Sequence, residues 1–583
     1  MSGDDDDIRF KQWLTDNGAK WPKIDWPSTA TNSGMRGAVA TEDIATNEFM
    51  LEIPAHLMMS PVAAYDSDIG PYLRQNSDII KPSSDIFLTI FIMNERRKGE
   101  KGFFYPFLKI LPEPGSIAHW SDTELQALQN DALLVRAKGR TMLVESTYRR
   151  TIGVLLTRHP DVFSAEEFSI ENYKFCWYSI MARAFGKRLP WTSLVPFADC
   201  LNHSNVQTKY DYNVDNNGTF RLFPTGSNSY PKGSEVFNSY GRRPNDNLLL
   251  DYGFAMLDNE WDHVEIMLTI PESENLYETK RRILYDVGKN YCLAVDLARK
   301  GFPLAALDFL RIAVLKGPEI AFLLQKIGVP ADDDDGANTE PSKDIFNRLQ
   351  KSSSFRAQRR LCFGRVISAS NEIAAIDTLQ VILQTLVTCR ATSVEDDEKH
   401  LADVASWPGP GDLDPGAVEE ARWRRTCAIT YRLTRKRIVD TTLRKLAVLR
   451  AWLSTIKPSP SSSASSPASP TESGSASSSA SSSVVVDTEL QKRATNLANE
   501  LLAEDRKRSS GSNSISSTCG SNGTDPTVEL SAAVGALSVD STATTATAAA
   551  SGTDDPPTPT LELEVYTRLL CNPALPVTIL PPP

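Results

Sequence analysis

The chain of 583 residues is short of histidine, and its cysteines lack any grouped spacing. The six His, at 56, 119, 159, 203, 263 and 400, form no HxxxH or HExxH pattern. A zinc hydrolase therefore has no ligand set, and no metal is expected. The eight Cys, at 176, 200, 292, 362, 389, 427, 519 and 571, include no CxxC. That scatter fits reduced thiols in an intracellular protein and excludes a disulfide scaffold or a Cys-rich zinc cluster. No apolar run approaches the length needed to span a bilayer, so no membrane partner is expected. A GxSxG elbow is missing, as is a GxGxxG between strand and helix. Positive charge is in deficit: 62 Lys and Arg face 73 Asp and Glu, a net charge of -11. Such a balance argues against nucleic acid as a partner and suits a basic substrate, such as a lysine-bearing segment. The opening MSGDDDDIRF is acidic, unlike a secretory signal or a basic transit peptide, so the expected address is cytoplasmic, with the nucleus open.

What is present is ordinary in bulk, with 41% hydrophobic and 23% charged residues, but too long for a single core. Composition divides it. From about 457 the chain reads KPSPSSSASSPASPTESGS, and 457–557 is expected to be disordered apart from a short helical stretch at Glu489 to Arg508. A short apolar segment, 558–583, closes it.

Strand and helix signals alternate through the first 270 residues. GAVATEDIATNEFMLEIP (37–54) holds two short strand-like runs, and TKYDYNVDNNGTFRLFP (208–224) predicts a hairpin pivoting at Asn217-Gly218. EVFNSYG and HVEIMLTI read as further strands. Asp85 to Arg97 places Ile86, Ile90 and Met93 on one helical face, and Ala132 to Val144 and Tyr173 to Ala184 also read as helices. Beyond about 275 strand signals fade, and long helices are predicted over Glu278–Arg299, Leu304–Leu315, Asn371–Val387 and Arg432–Trp452. The third carries the stripe Ile373, Ile376, Leu379, Ile382, Leu383 and Leu386, with Ser370 as its N-cap.

Four stretches stand in order between residues 34 and 254: GMRGAVA, ARAF, PFADCLNHS and SYGRRPNDNLLLDYGF. Singly, each has a bland reading. The first is a turn before a strand, His203 is a satisfied structural histidine, and Tyr240 is a turn or core aromatic. The NHS match to a glycosylation acceptor is accidental without a secretory route. Together they resemble the SET-domain protein methyltransferases, in the subclass of the Rubisco large-subunit lysine methyltransferase and the actin-histidine methyltransferase. NEIAAIDTLQ and YRLTRKRIVDTTLRKL resemble that subclass's C-terminal substrate-binding domain.

The resemblance implies an α+β chain. A SET domain at 10–270, of several small sheets with a knot-like crossing and a helical insertion at about 85–170, precedes an all-α substrate-binding domain at 275–455. It implies S-adenosyl-L-methionine as cofactor, lined by Gly34 and Met35, met at its carboxylate by Arg183, contacted by Asn202 and His203, and closed over by Gly253 and Phe254. Tyr240 and Tyr252 are implied as the catalytic tyrosines at a channel that joins cofactor to substrate. Ser33 stands where the family commonly has Glu, and GMRGAVA lacks the usual Gly-Leu pair. In the actin-histidine enzyme the places of Phe185 and Ala198 hold Asn and Trp, shaped around an imidazole. The apolar pair here implies a lysine acceptor, since it offers no amide to a ring nitrogen.

A lysine of ordinary pKa, about 10.4, must shed its proton before it can attack, at a cost of about 4 to 5 kcal/mol near neutral pH. A desolvating channel beside a sulfonium lowers that cost, so no carboxylate base is required, and Asp199 is assigned to holding its loop. The expected activity is therefore protein-lysine N-methylation of a non-histone protein by a monomer. Histidine methylation, a non-catalytic SET-fold binding module and a helical scaffold are the alternatives.

Overall fold

Alternating apolar runs become the strands that carry the site. The computed structural model describes residues 3–29, 36–80, 85–186, 189–213, 218–274, 276–286, 292–298, 304–320, 367–409 and 414–453. Gly34, Met35, the stretch at 489–508 and everything assigned to 457–583 lie outside the described residues. GAVA forms β2 (Gly37–Ala40), antiparallel to β1 (Ile24–Ser28), with Ile24 opposite Ala40. β3 (Leu51–Pro54), β4 (Thr208–Asn213) and β5 (Thr219–Pro224) make an antiparallel sheet in the order β3-β5-β4. Phe220 and Leu222 point into the core from β5, with no surface exposed. The predicted hairpin is there: Asn213 pairs with Thr219, and Gly218 takes a φ of 68°, which glycine tolerates best.

EVFNSYG is not a strand of a ladder. Val236 N–H donates to the Ala38 carbonyl at 2.8 Å, and Asn238 N–H to the Asn202 carbonyl at 2.8 Å. Single bridges join Val39 with Glu235 and, in parallel sense, His203 with Asn238. The segment changes partner midway, so its hydrogen bonds are satisfied without a run of consecutive pairs.

Helices α1 (Gly3–Asp16), α2 (Pro61–Asp66), α3 (Gly70–Gln75), α4 (Asp85–Arg97), α5 (Tyr105–Ile110), α6 (Asp122–Gln126), α7 (Asp131–Arg158), α8 (Ile170–Arg183) and α9 (Asn245–Tyr252) surround these strands. Those from α2 to α8 fall between β3 and β4, a helical insertion running from Pro61 to Arg183. α4 is buried nearly all round, from Phe87 to Glu95, and not on one face only. α7 runs on to Arg158, well past the predicted end.

By internal packing, Met1–Asp262 with Ala391–Arg435 form one unit, and His263–Arg390 with Lys436 onward another. The second contains β6 (His263–Thr269), β7 (Cys292–Ala298), α10 (Tyr277–Asp286), α11 (Leu304–Ala313) and α12 (Ala369–Thr388). Glu278–Arg299 is thus not one helix. α10 stops at Asp286, and CLAVDLA pairs antiparallel with β6, Thr269 opposite Cys292. Val295 and Leu297 are buried while Ala294 and Asp296 face out, a period of two that outweighs local helix propensity. Ser368, not Ser370, caps α12, its Oγ accepting from Asn371 N–H at 3.0 Å. Ala375, Ile376, Leu379 and Leu383 are buried, whereas Leu386 stays 39% exposed. A buried ion pair, Arg311 Nε to Glu372 Oε1 at 2.5 Å, ties α11 to α12. α13 (Val394–Asp403) belongs to the first unit, and α14 (Pro415–Leu453) is a single helix of 39 residues containing the predicted Arg432–Trp452. Among the described residues no helix is long and apolar enough to cross a membrane.

Candidate active site

Pro196 to Ser204 is shaped by one unusual backbone position. Phe197 has φ 69° and ψ -42°, a strained conformation for a residue with a side chain. Its fully buried ring compensates, stacked on Trp21 at 4.8 Å between centroids and edge-on to Trp26 at 6.1 Å. The turn starts a short 3-10 helix, Ala198–Cys200, and aims Leu201-Asn202-His203 along the crossing segment.

Arg183, the last residue of α8, donates through Nη1 to the Asp199 carbonyl at 3.0 Å and to Asp199 Oδ2 at 3.1 Å. Burial pushes the Asp199 carboxyl up, and the guanidinium pulls back against that. Asp199 is therefore committed to its loop. The Cys200 thiol, pushed well up by burial and by Asp199, donates to Asp199 Oδ1 at 3.7 Å. Asn202 Nδ2 donates to Glu235 Oε1 at 2.8 Å and to the Arg36 carbonyl at 3.4 Å, binding the motif to β2's leading edge.

His203 is buried, and that burial lowers its pKa to about 4. The ring is neutral near pH 7, and its Nδ1 accepts from Tyr240 N–H at 3.1 Å. The same Nδ1 lies 3.3 Å from the Asn238 carbonyl, so accepting from Tyr240 goes with a proton on Nε2 and donating to Asn238 with a proton on Nδ1. That buried Nε2 has no partner among the protein atoms. The imidazole stacks on Tyr240 at 5.0 Å, Tyr240 on Tyr252 at 4.8 Å, and Phe254 stands 6.1 Å from both His203 and Tyr252. The Tyr240 hydroxyl donates to the Leu201 carbonyl at 2.8 Å. Burial raises the pKa of both Tyr240 and Tyr252, so both stay protonated.

Gly253 ends α9 with φ 82°, its N–H donating to Leu248 and Leu249 carbonyls. A Cβ there would fall 2.0 Å from the Gly115 carbonyl oxygen. The glycine thus serves a left-handed helix end and a close backbone approach at once. Phe185 pairs its backbone with Ser193 at 2.8 and 2.9 Å and packs edge-on to Tyr210 and Phe220 at 5.4 and 5.2 Å. Ala198 is completely buried. The structure therefore gathers Arg183, Asn202, His203, Tyr240, Tyr252 and Phe254 around one turn, with Phe185 in an adjoining aromatic cluster.

One layer escaped the sequence reading. Asn245, buried at the start of α9, receives Met256 N–H at Oδ1 (3.0 Å) and gives its amide to Asp262 Oδ2 (3.0 Å). Asp262 Oδ1 accepts Asn245 N–H at 3.0 Å, and Asn259 Nδ2 reaches the Arg243 carbonyl at 2.8 Å. This hub fixes the helix that carries Tyr252. Asn245 was visible inside SYGRRPN, but nothing in the sequence linked it to Asp262. Among the described residues no group of three or more His, Cys, Asp and Glu is arranged to hold a metal.

The SET domain family model matches residues 35–241, and the Rubisco LSMT substrate-binding model matches 271–439. The chain carries a SET domain joined to a Rubisco LSMT substrate-binding domain. It is related to the Rubisco LSMT and actin-histidine methyltransferases. The [fructose-bisphosphate aldolase]-lysine N-methyltransferase of Arabidopsis thaliana is 29% identical over 328 residues, covering 54% of this chain and 66% of that protein. The Rubisco large-subunit N-methyltransferase of Pisum sativum is 26% identical, covering 54% and 65%. The actin-histidine N-methyltransferase of Xenopus tropicalis is 24% identical, covering 53% and 54%. The chain thus spans at most about two thirds of the curated relatives it matches. The SET domain of LSMT solved with lysine and AdoHcy has a TM-score of 0.53 at 21% identity, covering 78% of this chain and 93% of that one. Rubisco LSMT bound to AdoMet gives 0.51 at 22%, covering 76% and 92%. These two likenesses concern the fold of the SET domain and its partner domain.

Proposed function

We propose that this chain is an S-adenosylmethionine-dependent protein-lysine N-methyltransferase acting on a non-histone protein. The observation that carries the proposal is the stack of His203, Tyr240 and Tyr252, with the Tyr240 hydroxyl proton engaged by the Leu201 carbonyl. That bond leaves the phenolic oxygen as a fixed acceptor, suited to orient an amine N–H or a polarised methyl C–H.

The residues fit the cofactor. The buried Nε2 of His203, without a partner in the protein, calls for a polar group from outside the chain, which the cofactor's amino-acid end or adenine provides. Arg183 at the end of α8 and Asn202 beside it are the polar groups that would hold the amino-acid end. Bound there, S-adenosylmethionine supplies a methyl group on a cationic sulfur. Aromatic faces at Tyr240, Tyr252 and Phe254 attract cations and exclude water. Exclusion of water disfavours the ammonium form, so the amine enters with its lone pair free. No side chain is needed as a base: Asp199 is held by Arg183, and both tyrosines keep their protons.

Lysine is favoured over histidine because Phe185, buried against Tyr210 and Phe220, offers ring surface to an aliphatic stem and no amide to an imidazole. The plant relatives act, by their names, on a lysine of aldolase and on the Rubisco large subunit. The test is mass spectrometry of cellular proteins incubated with the full chain and isotopically labelled cofactor. Label on lysine side chains is expected. Label on histidine, or none, contradicts the proposal.

A further inference from the structure

Outside the aromatic stack, a cleft of about 260 Å³ opens in the same unit between the end of β3, helix α2, the loop after α8 and β4. Its lining includes buried Met58, the side chains of Trp191 and Tyr212, and the exposed Val62 and Asp66. The volume lies below the range of about 300–1,000 Å³ usual for small-molecule sites, which suits one long side chain better than a cofactor. The cleft also adjoins the proposed acceptor channel. Ser193, in its lining, is the backbone partner of Phe185, and Tyr212 lies two residues along β4 from Tyr210, which touches the Phe185 ring.

Resting on the methyltransferase reading, we propose that this cleft receives an arginine or lysine side chain of the substrate protein that neighbours the methylated lysine in sequence. Three features select a cation on an aliphatic stem. Met58 and Val62 offer apolar surface to the methylenes, as long basic side chains require. The rings of Trp191 and Tyr212 offer faces that attract a guanidinium or ammonium. Asp66 ends α2, where the helix's own carbonyls add to its negative potential. Arg74 donates to the Tyr65 carbonyl at 2.6 Å, one residue earlier, but among the described residues no cation forms an ion pair with the Asp66 carboxylate. An acidic substrate residue would meet like charge at Asp66, and a short apolar one would leave the carboxylate without gain.

The test uses the full chain and fluorescent lysine peptides that differ at one flanking position, Arg, Leu or Glu. Equilibrium binding and methyl transfer are measured separately. The Arg peptide is expected to bind three- to tenfold more tightly than the Leu peptide, the size of one exposed ion pair plus one cation–π contact. Asp66→Asn and Trp191→Ala should each shrink that ratio toward one, leaving methyl transfer to the Leu peptide unchanged at saturation. Equal binding of all three peptides, no binding at all, or a ratio unmoved by Asp66→Asn overturns the inference. Selective binding lost in the variants but without any methyl transfer would sink the methyltransferase reading and leave the cleft's preference standing. Methyl transfer indifferent to Asp66 and to the flanking residue would do the reverse.

Discussion

The His203 imidazole is the residue through which the site's burial becomes measurable as a pH effect. Its pKa falls from 6.5 to about 4 on folding, chiefly because burial disfavours the charged ring. Between those values the unfolded chain takes up a proton that the folded chain refuses. The stability it contributes is complete above about pH 6.5 and is lost as pH falls toward about 4. From about pH 7 to about pH 5 the loss is on the order of 2 kcal/mol. His203→Gln removes the titration while keeping a polar side chain. Urea unfolding at both pH values should give the wild type a drop about 2 kcal/mol larger than the variant's. Parallel drops would mean that the ring is not held neutral. Asp199 shows the complementary case: buried beside Arg183, it orders a loop and moves no proton.

Helix α9 links the hub at its start to the tyrosine at its end, and Gly253 is where that link is most sharply defined. Gly253→Ala forces a side chain into φ 82° and sets a Cβ 2.0 Å from the Gly115 carbonyl oxygen. Left-handed strain costs about 1–2 kcal/mol and overpacking about 1–3, so roughly 3 kcal/mol of destabilisation is expected in chemical unfolding. A loss below about 1 kcal/mol would show that the helix end relaxes freely. The elements most legible in the sequence were those with strong local rules: α4 between Asp85 and Arg97, and the antiparallel pair of β4 and β5. Elements set by distant partners were not. β7 was absorbed into a long predicted helix because its pairing strand lies before α10, and residues 235–241 read as one strand although two different neighbours share their hydrogen bonds. Ser368 and Ser370 are equally good caps by type; only the turn's geometry selects Ser368.

Across the molecule, the chemistry-bearing positions are spread from the end of α8 to the residue after Gly253, and the crossing of 234–240 past Asn202-His203 brings them together. That spread is why motif order carried the resemblance better than any single residue did. It is also why side-chain partners were not legible: nothing in the motif order shows that the Asn202 amide bonds Glu235 and the Arg36 carbonyl. The single-turnover rate of methyl transfer by the full chain at saturating S-adenosylmethionine, wild type against Tyr240→Phe, tests the central claim most directly. The variant keeps the aromatic stack but loses the hydroxyl that donates to Leu201 and offers an oxygen to the reacting groups. The account predicts cofactor affinity within a few-fold of wild type and a rate lower by roughly a hundredfold, the cost of misalignment in such a transfer. A variant that transfers methyl at the wild-type rate, or a wild type that transfers none, would contradict it.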